Sequence, residues 1–208
     1  MTATSKRQRR KEARPSEIMA AGLKAFSERG FAATRLEDVA DAAGVSKATI
    51  YLYFESKADL LKAILRELVG PRMGEIEALV RGYDGPSTDL LRAIYARASA
   101  VISTHDVRSI LKLIVSEAGN FPDIAEFYRK EIAFRGLYTL AHLIERGIER
   151  GEFRPCDPVA TAQSVIFPLL MNALATEVFG PMPEFDTDKF HPSHLEFVLR
   201  GLAANGEA

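Results

Sequence analysis

The stretch from Thr34 to Lys57, TRLEDVADAAGVSKATIYLYFESK, restricts the fold more than any other part of this chain. Leu36, Val39, Ala40 and Ala43 recur at helical spacing, and Thr34-Arg35-Leu36-Glu37 ahead of them has the T-x-x-E form of a capping box. Gly44 suits the positive φ of a helix stop, and Val45 is placed to tuck inward. Ser46 is placed to cap a second helix, predicted from Lys47 to about Phe54. Two short helices joined by so tight a turn form a helix-turn-helix.

The outward side of the second helix follows from turning each residue through about 100°, with Ile50 taken as the inward direction. Phe54 and Ser46 fall near Ile50, Ala48 and Leu52 fall almost opposite, and Thr49 and Tyr51 lie on the flanks. Small and apolar groups at the outermost point suit a major groove better than bulk water. Ala48 allows close approach, Leu52 suits a thymine methyl, and Thr49 and Tyr51 suit phosphates or base edges. Lys47 opposes the helix dipole, a small cost that a nearby phosphate would offset. Tyr53 reads either as a second phosphate donor or as a packing residue. Ser56-Lys57-Ala58-Asp59 caps a third helix carrying Leu60, Leu61, Ile64, Leu65 and Leu68. Lys57 at its start is read as a phosphate contact, the plain alternative being a surface lysine.

Charge distribution agrees with a polyanion at the front of the chain. Residues 1–62 hold 12 Lys/Arg against 8 Asp/Glu, leaving 15 against 20 in the other 146 residues. Residues 1–14 carry Lys6, Arg7, Arg9, Arg10, Lys11 and Arg14 without apolar period, and are expected to be a flexible basic tail. That tail is either an arm for phosphates or a minor groove, or simply solvated. Pro15-Ser16-Glu17 is expected to open the first helix, with Ile18, Ala21, Ala25 and Phe26 inward and Gly30 as its stop.

Residues Glu17 to Leu61 resemble the DNA-binding domain of the TetR/AcrR family of bacterial transcriptional regulators. The resemblance runs through Ile18, Ala21, Phe26, Gly30, Phe31, Thr34, Asp38, Val39, Ala40, Ala43, Gly44, Val45, Ser46, Lys47, Thr49, Ile50, Tyr51, Tyr53, Phe54, Ser56 and Lys57. It implies that Thr49, Tyr51, Tyr53 and Lys57 hold the DNA backbone and that Lys47, Ala48 and Leu52 lie nearest the bases. Thr34 joins these as an expected DNA-binding residue. About a quarter of the chain is covered.

The expected fold is therefore all-α: a helix-turn-helix domain over residues 15–62 and a larger helical effector-binding and dimerisation domain over residues 63–208. The linking helix is expected to bend or restart at Gly70-Pro71. Ser87 and Asp106 are expected to cap the next two helices. Phe121-Pro122-Asp123-Ile124 should begin a long helix to Gly151; it is similar to the R-F-P-E-L stretch of many such regulators, with Asn120 in place of the Arg. Asp157-Pro158 should start a helix to Gly180, apolar nearly all round and kinked at Pro168. After a Pro181–Pro183 loop, Leu195, Val198, Leu199 and Leu202 stripe a final helix. The family resemblance implies that the last two helices pair with their copies in a homodimer, a symmetry that suits a pseudo-palindromic operator.

No catalytic constellation is apparent. His105, His142, His191 and His194 lack metal spacing, no Gly-rich phosphate loop is present, and Cys156 stands alone. No cofactor or metal is expected. Without a secretory signal or an uninterrupted apolar run long enough for a bilayer, and with one cysteine, the expected location is cytoplasmic.

Phe127, Glu131, Phe134, Tyr138 and His142 share one face of the long helix. With Ile102, Leu111, Leu170 and Asn172 opposite, they are candidates to line an apolar effector cavity, core packing being the alternative. The expected function is a DNA-binding regulator, a homodimeric repressor released from its operator by a small, largely apolar effector. The alternative is a ligand-independent DNA-binding or protein-interaction module, with an enzyme a distant third.

Overall fold

The computed structural model describes the backbone of residues 3–180 and 186–204 and side chains from Arg14 onward. Within these residues ten α-helices follow in order: α1 (Ala3–Arg29), α2 (Leu36–Ala42), α3 (Lys47–Tyr51), α4 (Lys57–Gly82), α5 (Ser87–Ile102), α6 (His105–Glu117), α7 (Pro122–Tyr128), α8 (Phe134–Glu149), α9 (Pro158–Phe179) and α10 (Thr187–Leu202). A π-helical turn, Arg129–Ala133, separates α7 from α8. The expected Pro181–Pro183 loop lies outside the described residues.

The chain divides into two compact units, Met1–Leu68 with Leu113–Ala125, and Val69–Lys112 with Glu126–Ala208. This differs from the expected division at residues 62 and 63. The α6–α7 corner belongs with the first unit because Ile124 is fully buried, Phe121 stands against Phe31, and Lys62 bonds Asp123 at 2.9 Å. Such contacts lie far apart in sequence and leave no local period.

In the first unit, Ile18, Phe26, Phe31, Val39, Ile50, Leu60, Leu61 and Leu65 are essentially sealed from solvent. Each such side chain contributes roughly 1.5–3 kcal/mol by leaving water. A Cβ on Gly22 would come within 2.9 Å of Leu60, so glycine sets how closely α1 and α4 approach. Helix α1 starts at Ala3 with Pro15 inside it. The expected flexible tail is thus helical in backbone, since residues 3–14 are mostly Ala, Lys, Arg, Gln and Glu, all favourable in helices. Helix α4 likewise runs through Gly70-Pro71 without a restart.

The second unit is built around Leu90, Leu91, Ile94 and Tyr95 of α5, Leu140, Leu143 and Ile144 of α8, Ala162, Val165 and Leu169 of α9, and Val198 and Leu202 of α10. Pro86, and not Ser87, is the residue preceding α5; buried Ser87 is its first residue, and its N–H donates to the Glu152 carboxylate. Helix α6 begins one residue before Asp106, with Arg108 N–H donating to the Thr104 carbonyl at 3.0 Å. Asp157 caps α9 by accepting from the Ala160 N–H at 2.8 Å, as its Asp-Pro signature requires. The end of α10 is tied down where Arg154 N–H donates to Leu202 O at 2.9 Å.

By length and hydropathy α9 would pass as a membrane span. Its Glu177, however, accepts from Ser109 Oγ at 2.9 Å and meets Arg108 Nε at 3.4 Å, while Ala162, Val165, Leu169 and Ala173 pack into the core. These contacts make it a core helix with one further apolar side. That side carries Phe167 and Met171, 57% and 63% exposed.

Candidate nucleic-acid interface

Helix α3 has only five residues, too few to be stable alone. Three features hold it. The Val45 N–H reaches back to Ala40 O at 2.9 Å after the turn at Gly44, whose φ of 65° favours glycine. Ser46 Oγ accepts the Thr49 N–H at 3.1 Å, and Ile50 is driven fully into the core with Phe54 beside it. The helix ends sooner than the sequence indicates, with Leu52 as its C-cap, still in right-handed helical geometry at φ −72° and ψ −22°. Rotation about the axis therefore still places Leu52 opposite Ile50. Leu52 is 82% exposed, a large apolar side chain held out in water.

Around Leu52 the structure gathers Ala48, exposed, and Tyr51, 44% exposed. Thr49 is half-buried, its Oγ1 2.8 Å from Ser46 Oγ. Half-buried Tyr53 packs its ring against Phe54 at 6.5 Å. Lys47 is exposed, and its Nζ sits 2.6 Å from Glu37 Oε1 and 5.9 Å from the Tyr51 ring centroid. Tyr51 donates its hydroxyl to the same Glu37 oxygen at 3.3 Å. The hydrogen bond from Lys47 is the main reason the Glu37 carboxyl is held below its ordinary value, and the same bond raises Lys47.

Two expected DNA contacts are placed otherwise. Thr34 is fully buried, with its hydroxyl donating to Gly30 O at 2.7 Å. The T-x-x-E box does not form: Asp38 Oδ2 accepts the Arg35 N–H at 3.0 Å, half of a box one residue on, and Glu37 is left free to reach α3. Lys57 Nζ donates to the carbonyls of Phe31, Ala32 and Thr34 at 2.7, 2.9 and 3.2 Å. An ammonium has three donors, so this set fills Lys57 and makes it a brace for the α1–α2 turn. The Asp59 N–H bonds Ser56 Oγ at 3.1 Å, which confirms the cap of α4.

The expected effector face does not assemble as a cavity wall. Phe134, Tyr138 and His142 are 38%, 49% and, for the His142 side chain, 72% exposed. Core contact on α8 instead runs through Leu137, Leu140, Ala141 and Ile144, a stripe one residue out of phase. The widened turn at Arg129–Ala133 also breaks the regular spacing that joined Phe127 to the later residues. Ile102, Leu111 and Leu170 do meet in the core cluster, while Phe127 and Asn172 are half-buried. Among the described residues no cluster of three His, Cys, Asp or Glu side chains could hold a metal.

Sequence reasoning missed Glu37 because the T-x-x-E pattern assigned it to a cap. It also missed Phe121, whose ring meets Phe31 at 4.8 Å, and the Arg108–Ser109–Glu177 group. The i, i+3 signal that finds helix faces carries nothing about partners 68 to 90 residues away.

The chain matches bacterial regulatory proteins of the tetR family over residues 18–64 and the tetracyclin repressor-like C-terminal domain over residues 84–188. It is 25% identical over 196 residues to the fatty acid metabolism regulator protein of Bacillus subtilis, covering 92% of this chain and 98% of that one. It is 28% identical over 202 residues to the transcriptional repressor KstR2 of Rhodococcus jostii, covering 93% of each. The fold is shared with FadR of Bacillus subtilis, solved in complex with stearoyl-CoA, at a TM-score of 0.70 and 20% identity over 90% of this chain and 98% of that structure. An outward apolar residue on a braced helix-turn-helix, followed by a helical domain that matches over half the chain, leads to one assignment: this protein belongs to the TetR family of DNA-binding transcriptional regulators.

Proposed function

We propose that the protein is a cytoplasmic, homodimeric repressor whose operator binding is relieved by a small, largely apolar effector. The observation that carries the DNA half is Leu52, 82% exposed directly opposite the sealed Ile50. Ala48 and Leu52 approach base edges, Lys47 lies at their margin, and Thr49, Tyr51 and Tyr53 serve the backbone.

Dimerisation is supported by the free side of the last two helices. Phe167 and Met171 of α9 and Phe197 of α10, the last 76% exposed, give a surface that water disfavours. A second copy set there would form a four-helix arrangement and present two reading helices to one pseudo-palindrome.

The effector class rests on relatives. The names of the Bacillus subtilis regulator and of the stearoyl-CoA complex bring long-chain acyl thioesters forward as the first class to test. Ile102, Leu111, Leu170, Phe127 and Asn172 remain the residues proposed to receive an apolar chain; Phe134, Tyr138 and His142 do not. The π-turn at Arg129–Ala133 supports a site on this helix, since such turns are frequent at functional sites. Binding an effector that prefers one conformation and DNA that prefers another makes each weaken the other.

The test is to select a duplex from a random-sequence pool with the purified protein, then titrate it with and without stearoyl-CoA. Release of DNA is expected. Equal affinities across saturated acyl-CoAs of several lengths would remove the acyl thioester, and leave ligand-independent DNA binding as the reading favoured.

A further inference from the structure

Glu37 occupies an unusual place for a carboxylate. It stands in the first turn of α2, yet its Oε1 accepts from Lys47 Nζ at 2.6 Å and from Tyr51 Oη at 3.3 Å. Those two donors are the first and last residues of α3. One acidic group therefore clips both ends of the reading helix to its neighbour. It also sets a full negative charge where the protein is to meet a polyanion.

Lys47 and Tyr51 are exposed and belong to the surface around Leu52, so either is open to a phosphate when DNA arrives. Tyr51 would have to turn its one hydroxyl proton from Glu37 to make that contact, while Lys47 keeps two donors but lies against the carboxylate, so a phosphate brought to either meets the repulsion of Glu37. Binding driven by charge alone thus gains little from Lys47. Binding that also seats Ala48 and Leu52 in a matching groove benefits from a helix already held in place.

We infer that Glu37 is a specificity-determining residue: its clip on Lys47 and Tyr51 orients α3 and offsets the charge that Lys47 offers to the phosphates of non-operator DNA. The carboxylate penalises the contact shared by every sequence and spares the contacts that distinguish them. The inference rests on the DNA-binding assignment and assigns to Glu37 a task separate from base contact.

The experiment compares the full-length protein with Glu37→Gln, Lys47→Gln and the double variant. The probes are a duplex selected from a random pool by the wild-type protein and a scrambled duplex of the same composition, each over a salt series. Glutamine keeps the length and the acceptor for Tyr51 but not the charge. Glu37→Gln is expected to tighten binding to the scrambled duplex on the order of tenfold at 0.1 M salt and to steepen its salt slope by about 0.9, the release expected from one more neutralised phosphate. The selected duplex should gain less, so the ratio of specific to non-specific affinity falls. In the Lys47→Gln background the steepening should vanish. An unchanged slope and ratio in Glu37→Gln would overturn the inference, as would a steepening that persists without Lys47. Failure of the wild-type protein to bind any duplex would instead strike the DNA-binding role itself. Thermal melts of all four proteins establish that each variant is folded.

Discussion

The ring of Phe121 stands edge-on to the ring of Phe31, centroids 4.8 Å apart and planes at 83°. Phe31 sits in the turn before α2, while Phe121 comes from the α6–α7 corner, ninety residues later. Beside them Lys62 and Asp123 form an ion pair at 2.9 Å, and the Lys62 hydrogen bond holds the Asp123 carboxyl below its ordinary value. A segment distant in sequence is thereby a packed component of the DNA-binding unit. Any change that moves this corner acts directly on the turn supporting α2.

Phe121→Ala should accordingly destabilise the unit that carries the helix-turn-helix. Loss of the edge contact and of a half-buried ring is expected to cost about 2–3 kcal/mol. Urea denaturation followed by tyrosine fluorescence measures this. A change under 0.5 kcal/mol would mean that the corner contributes nothing to the unit.

Lys57→Met should act on folding before it acts on DNA. The variant keeps the aliphatic stem but loses three charge-assisted bonds to Phe31, Ala32 and Thr34 carbonyls, an expected cost of about 2 kcal/mol at this partly exposed place. Its salt slope for DNA should remain near that of the wild type. If the slope fell by about 0.9 with an unaltered melting temperature, Lys57 would be a phosphate donor after all.

Leu52→Ala and Tyr51→Phe should separate reading from holding. Leu52 is so exposed that its truncation should alter stability by less than about 0.5 kcal/mol. Its expected effect is on base preference, measured by selection from a random-sequence pool. Tyr51→Phe loses the hydroxyl proposed to turn from Glu37 to a phosphate, while Lys47 still holds α3 to Glu37, so it should weaken all duplexes to a similar degree. Retained base preference in Leu52→Ala would remove Leu52 from the groove.

Acid should weaken the second unit through α10. Burial depresses both His191 and His194 below 6.5 and pushes the Tyr95 phenol up to about 12, so Tyr95 stays protonated and bonds His194 Nδ1 at 3.0 Å. Asp188 opposes the shift at His191, but burial is the larger cause. The unfolded chain then binds more protons than the folded one below pH 6.5. The contribution of this pair is complete above that pH and is lost as pH falls beneath it. Urea midpoints measured from pH 8 to 5.5 should decline through this window, and His194→Gln should flatten the decline. Midpoints that rise on acidification would show a histidine stabilised in its charged form.

Local patterns in the sequence determine the elements. Gly44 and Ser46 set the turn and the start of α3, Asp157-Pro158 sets the start of α9, and the helical spacing of Ile50 and Leu52 decides which faces inward and which outward. These depend on backbone preferences and on periods of a few residues, which a single chain displays. What the tertiary structure alone decides is where polar side chains find their partners. Lys57 turns inward to three carbonyls, Thr34 is sealed, Glu37 leaves its cap for Lys47 and Tyr51, and the stripe of α8 that enters the core is Leu137–Leu140–Ile144 and not Phe134–Tyr138–His142. A lysine or glutamate has a long reach and several possible partners, and two neighbouring stripes on one helix differ by only about 100° of rotation. The choice between them is made by packing against elements remote in sequence, and that choice exists only once the chain has folded.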